Sequence, residues 1–332
     1  MENKKYDIII IGHEGENTFE ARMVKELEKR GHYVSSYPSV SIYNQVSAFE
    51  RAGYSDGSRS VSLDAFFHKY YDYGCDFIII CQTGLAFIND MHIPVFYYHR
   101  EFIQSPKCEN PTYILIQQPE TRDFLKSYYM PLWASARNRQ FLNIAADPSM
   151  FNPNREKDLK GINYISSWAA AMGIKLDAIW ADIFEHYLEI PIWATENKLC
   201  TTHVKGNVKS SPNFNTYRDY MERSEASLMV TIKWIYFSRR LIEAAMCKTL
   251  NIIWIQNDAS EKAHNNLGFY HRKNCIMFRE KEELENGAVS WTKEELKEMT
   301  EDAYNLVLEK HTYEQRADKI LAMFEGKLNS PI

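Results

Sequence analysis

The sequence predicts an α/β protein built from two doubly wound domains, each a mainly parallel sheet covered by helices. Three observations predict it. Short continuous apolar runs recur at about the spacing of a helix plus its loops, which suits parallel strands buried on both faces. The chain changes character once, near residue 147, where DPSMFNPNREKDLKG brings together prolines, polar residues and charges. Finally, 332 residues with 45% hydrophobic and 25% charged side chains suffice for two separate cores.

YDIIIIG (Tyr6–Gly12) is the opening strand. A helix follows from Thr18 to Arg30, with Phe19, Met23, Val24 and Leu27 on one side and Gly31 as its stop. HYVSSYP, CDFIIIC, IPVFYYH and TYILIQQ supply the next strands. Beyond the break, GINYISS, IPIWAT, ASLMVTI, TLNIIWI and NCIMF form a second series. Helices are expected between them at 175–187, 216–223, 238–247 and 259–267. A charged helical tail, 293–324, is interrupted near His311 and Thr312, so its last piece is expected to return toward the first domain. The expected division is 1–148, 149–310 and a terminal helix at 311–332. Two such Rossmann-like domains are expected to face each other across a deep cleft, since α/β sheets bind ligands at the carboxyl ends of their strands.

Composition excludes several classes. No apolar run reaches the ~20 residues of a membrane helix, and the run at Ile8–Ile11 is too short for a signal-peptide core, so a cytoplasmic protein is expected. Six scattered cysteines without a CxxC indicate neither zinc nor disulfides. The net charge of -5 divides evenly, with 15 basic against 18 acidic residues in positions 1–150 and 24 against 26 beyond. No domain-wide basic surface marks a nucleic-acid or anionic-lipid partner.

GHEGEN (Gly12–Asn17) follows the first strand but is not GxGxxG, and its acidic residues oppose a pyrophosphate. GxxxxGK[ST], HExxH and a metal-holding DxD are absent. FSRRLIEAAMCKTLNIIWIQND (Phe237–Asp258) is more informative. Arg240 and Glu243 share a helix face at i, i+3, near an N-terminus whose unpaired amides favour an anion. A phosphate beside a hydroxyl-bearing group suits that pair. The plain structural alternative is an intrahelical ion pair worth a few tenths of a kcal/mol.

SRRLIEAAMCKTLNIIWIQND, followed by KNCIMFREKEEL and EKHTYEQRADKIL, resembles the carboxyl-terminal domain of the CgeB-like glycosyltransferases, members of the two-Rossmann-domain class called GT-B. Its R-x-x-E followed by a strand is also similar to the DNA β-glucosyltransferases of T-even phages. The resemblance covers most of 145–325 in order. It implies that Glu243 accepts hydrogen bonds from the ribose of a nucleotide sugar, while Arg240, Ser238 and the helix amides hold the diphosphate. In SSWAAAMG, Ser166 and Ser167 take the place of a small-residue loop beside the phosphates, and Lys205 in HVKGNV stands near the nucleobase region as either a phosphate ligand or a solvated surface lysine. Two departures stand out. The familiar EX7E motif would need its first glutamate at Ile235, and Lys248 stands where many relatives carry glycine.

An inverting transfer needs a base at a strand end of the first domain. Glu101 and His99, after IPVFYY, are placed ahead of His13 and Glu16, after the opening strand. Thirteen of the 21 tyrosines fall within 1–150, where an acceptor platform competes with ordinary packing. The expected activity is metal- and cofactor-independent hexose transfer, with UDP-glucose the first choice of donor. The acceptor is either a hydroxymethylated base of phage DNA or a cell-surface or spore glycan. A non-catalytic sugar-binding protein and a sugar-nucleotide epimerase are the alternatives.

Overall fold

A computed structural model describes residues 4–12, 15, 18–38, 60–64, 74–81, 86–89, 92–99, 108–109, 111–117, 138–163, 165–166, 192–194, 208–209, 213–230, 238–255, 257–280, 282–283 and 292–328. The chain forms two compact units, one comprising Met1–Asn143 with Tyr313–Ile332 and the other Ile144–Thr312.

The first unit contains β1 (Asp7–Gly12), α1 (Phe19–Lys29), β2 (Tyr33–Pro38), β3 (Ser60–Ser62), β4 (Phe77–Cys81), β5 (Ala86–Ile88), β6 (Val95–His99), β7 (Cys108–Glu109), β8 (Tyr113–Ile116) and β9 (Asn138–Phe141). Its main sheet has six strands in the order β2-β1-β4-β6-β8-β9, and β3-β5-β7 form a smaller one. Every strand pairing recorded in this unit is parallel. Ile8, Ile9, Ile10 and Ile11 are all buried, as a strand covered on both faces requires. Thr18 caps α1 by accepting from the Ala21 amide at 3.2 Å, and Gly31, at φ 87°, takes the left-handed conformation after it.

The second unit contains β10 (Leu159–Asn163), β11 (Ile165–Ser166), β12 (Ile192–Ala194), β13 (Val208–Lys209), α2 (Phe214–Arg223), β14 (Ser224–Val230), α3 (Arg239–Met246), β15 (Leu250–Trp254), α4 (Asp258–Asn266), β16 (Ile276–Phe278) and α5 (Lys293–Lys310). Its sheets run β10-β14-β15-β16 and β11-β12-β13, again with parallel pairing. GINYISS, expected as one strand, is divided between the two sheets. The core gathers Leu241, Ile242, Ala244 and Ala245 of α3 with Tyr217 and Met221 of α2 and Ile253 of β15.

The last helix, α6 (Tyr313–Phe324), belongs to the first unit. Phe324 packs on Phe77 with ring centroids 4.6 Å apart, and Asp318 pairs with Arg30 at 2.8 Å. Arg316 donates through Nε to the Asn143 carbonyl at 2.7 Å. The α/β fold with parallel sheets predicted from the apolar runs is the one observed. The helix expected at 175–187 lies outside the described residues.

Candidate functional site

The described chemistry of the second unit concentrates at the start of α3. This helix follows β14 and precedes β15, which are neighbouring parallel strands. Buried Asn251 of β15 ties it down by donating from Nδ2 to the Leu241 carbonyl at 3.0 Å. Ser238 is its N-cap, and the Ser238 hydroxyl oxygen accepts from the Arg240 amide at 3.3 Å and from Arg240 Nε at 2.8 Å. Among the described residues, the Nη groups of Arg240 have no acceptor, so a guanidinium fixed at Nε keeps donors for an anion.

Glu243 is only 4% exposed, yet Arg240 is not its partner. Arg239 reaches its Oε1 from Nε at 2.7 Å, and the Tyr217 hydroxyl donates to its Oε2 at 2.6 Å. The intrahelical ion pair therefore exists one residue earlier than i, i+3 suggests, at i, i+4, and Arg240 is left for other work. Arg239 was legible in the same stretch, Phe237–Asp258, by its i, i+4 spacing from Glu243. Tyr217 carried no local signal, because it approaches from another helix.

Tyr217 lies inside the α2–α3 core, held by an N-cap at Asn213 that accepts from the Thr216 amide at 2.9 Å. Burial, and next the neighbouring Glu243 charge, push its phenol well above the ordinary tyrosine value. The hydroxyl therefore remains a proton donor at any working pH.

In the first unit, His99 ends β6, beside Ile116 of β8 in register. It is 1% exposed and, among the described residues, neither ring nitrogen has a hydrogen-bond partner. Burial pulls it down to about 3, so the imidazole is neutral at physiological pH. Gly12 ends β1, where a Cβ would run into the Glu20 side chain. His13, Glu16, Glu101, Ser167 and Lys205 lie outside the described residues. Ser166 closes β11, and only its backbone is described. Among the described residues no cluster of His, Cys, Asp or Glu is arranged to hold a metal ion, and no helix is long and apolar enough to cross a membrane.

The parallel sheets make an α/β fold, and comparison with known proteins shows it to be of the GT-B type. Residues 181–322 match a family model described as glycosyl transferase-like. A glycosyltransferase from Rickettsia africae superposes with a TM-score of 0.65 at 10% identity, covering 99% of this chain and all of the other. HepE of Anabaena, solved with UDP and glucose, gives 0.60 at 9% identity over 97% of this chain and 100% of that one. WaaG, a glycosyltransferase involved in lipopolysaccharide biosynthesis, gives 0.59 at 10% identity over 96% and 100%. At these identities the likeness establishes the fold. No curated protein sequence matches the chain.

Proposed function

We propose that the protein is a glycosyltransferase that binds a nucleoside diphosphate sugar at the start of α3 and transfers its hexose to an acceptor hydroxyl. The observation that carries this is the divided labour of that helix: a buried, oriented carboxylate at Glu243 and, beside the N-terminal amides, an arginine that the carboxylate does not consume. Glu243 takes the ribose hydroxyls, and Arg240 with Ser238 takes the diphosphate. The family match over 181–322 includes this helix and supports the assignment. Donor binding needs no metal in this scheme, since Arg240 and the helix amides supply the positive charge.

UDP-glucose is the proposed donor, supported by the HepE complexes with UDP and glucose and with UDP-glucose. A glycan hydroxyl is the proposed acceptor, in keeping with the balanced net charge of -5 and with WaaG's place in lipopolysaccharide biosynthesis. Base assistance is assigned to His99, at the end of β6, or to Glu101, two residues further along the sequence. His99 is a hydrogen-bond acceptor as it stands and a weak base while buried, which favours Glu101 for full proton removal.

Glu243→Ala and Arg240→Ala should each weaken UDP binding by roughly 1.5–3 kcal/mol, the scale of a hydrogen bond to a charged group. UMP should suffer less than UDP when Arg240 is lost. Unchanged UDP binding in both variants, with melting several degrees lower, would make the pair structural and sink the site. Slow hydrolysis of UDP-glucose without acceptor separates a transferase from a sugar-binding protein. Steeply salt-dependent binding to hydroxymethylated duplex DNA would move the acceptor from glycan to nucleic acid.

A further inference from the structure

The donor reading makes Glu243 a ribose ligand but leaves open why its carboxylate is so firmly held. Each carboxylate oxygen offers two lone pairs. Among the described residues, Arg239 occupies one on Oε1 and Tyr217 one on Oε2, which leaves one on each oxygen. Two remaining acceptor sites on neighbouring oxygens match the two O–H donors of a vicinal diol. We propose that Tyr217 is a positioning residue which, together with Arg239, fixes the rotation of the Glu243 carboxylate so that it accepts both ribose hydroxyls and thereby selects ribonucleotide over deoxynucleotide donors. This inference rests on the proposed donor site.

Three features favour positioning over packing alone. The Tyr217 ring belongs to the α2–α3 core, so its hydroxyl is delivered by an element that does not move with the α3 side chains. The hydroxyl is 2.6 Å from a charged acceptor, a strong bond that a phenylalanine of the same shape cannot make. The two partners also reach the carboxylate from different helices, Arg239 from the preceding turn of α3 and Tyr217 from α2, so together they define its plane. High burial keeps the phenol protonated and hence always a donor.

The test compares dissociation constants of UDP, GDP and ADP with those of their 2′,3′-dideoxy counterparts, and of the best binder with its monophosphate. In Tyr217→Phe the preference for the ribose form should shrink about 3- to 10-fold, part of the roughly 10-fold or greater loss expected for Glu243→Ala, with the diphosphate-to-monophosphate ratio unchanged. Arg239→Ala, a half-exposed position, should shift the same ratio and guards against failure of the core variant to fold. Tyr217→Phe added to Glu243→Ala should cost nothing further in this ratio. If Glu243→Ala abolishes the ribose preference while Tyr217→Phe and Arg239→Ala keep it, positioning is wrong and the donor site stands. If Glu243→Ala itself keeps the preference, or no nucleoside diphosphate binds the parent, the donor site is wrong and the inference falls with it.

Discussion

Lys248 follows the C-cap of α3 at φ 55°, a left-handed conformation in which a Cβ is strained. This explains in physical terms why glycine is the expected residue there. The lysine recovers part of the cost, since its Nζ pairs with Glu301 at 2.7 Å and lies 4.8 Å from the centre of the Tyr304 ring. Lys248→Gly should therefore leave stability within about 0.5 kcal/mol of the parent, strain relief of about 1 kcal/mol offsetting the lost contacts. Lys248→Ala keeps the strain, loses the contacts and should cost about 1 kcal/mol; chemical denaturation of the two variants checks both. His264 offers a pH test. Burial holds it down to about 4 while its Nδ1 lies 2.7 Å from the Ser260 carbonyl. The unfolded chain protonates this residue below about 6.5 and the folded chain does not, so stability should fall as pH drops from 6.5 toward 4, by roughly 3 kcal/mol at most from this group. His264→Gln should flatten the urea midpoint over that range. At this scale the sequence spoke unevenly: Arg240, Glu243 and Lys248 stood out by spacing or by contrast with glycine, whereas Tyr217 is linked to Glu243 only through the packing of two helices, 26 positions apart.

Lys157, just before β10, joins two helices by their ends. Its Nζ donates to the Glu222 carbonyl of α2 at 2.7 Å, to the Cys247 carbonyl after α3 at 2.8 Å and to Thr249 Oγ1 at 2.9 Å. A cation at two helix C-termini satisfies carbonyls left over by the helical ladder and complements both dipoles. Lys157→Met should strand these acceptors and cost about 3 kcal/mol, read from the urea midpoint of the second unit. Burial nevertheless pulls the ammonium down to about 8, from 10.5 in the unfolded chain. Between those values the unfolded chain holds the proton that the folded chain has lost, so the parent should gain stability over Lys157→Met as pH rises from 8 to 10.5. Long elements were legible because their patterns are strong: α3, α4 and α5 match their expected spans within a residue or two. The two- and three-residue strands β3, β5 and β7 were not, being too short to show a period. Neither was β9, whose NRQF lacks an apolar run because it is the edge of its sheet.

For the whole molecule, the repeated apolar runs were enough to foresee parallel sheets, because strands covered on both faces must be apolar throughout. The pairing order was not readable, since β2-β1-β4-β6-β8-β9 depends on crossovers that no local pattern encodes. The most consequential feature at this scale is the return of α6 to the first unit. Tyr6 donates to Glu325 at 2.9 Å and Tyr113 to the Met323 carbonyl at 3.1 Å, so strands of the first unit await partners made after the second unit. The second unit is continuous in sequence and has no such debt. The first unit is therefore expected to close only after the second has been made, the reverse of the usual N-terminal-first order of domain maturation. On stalled nascent chains truncated before Tyr313, protease resistance should appear over Ile144–Thr312 while Met1–Asn143 stays open to cleavage. Resistance of Met1–Asn143 at that length would show that the terminal helix only decorates a unit already folded.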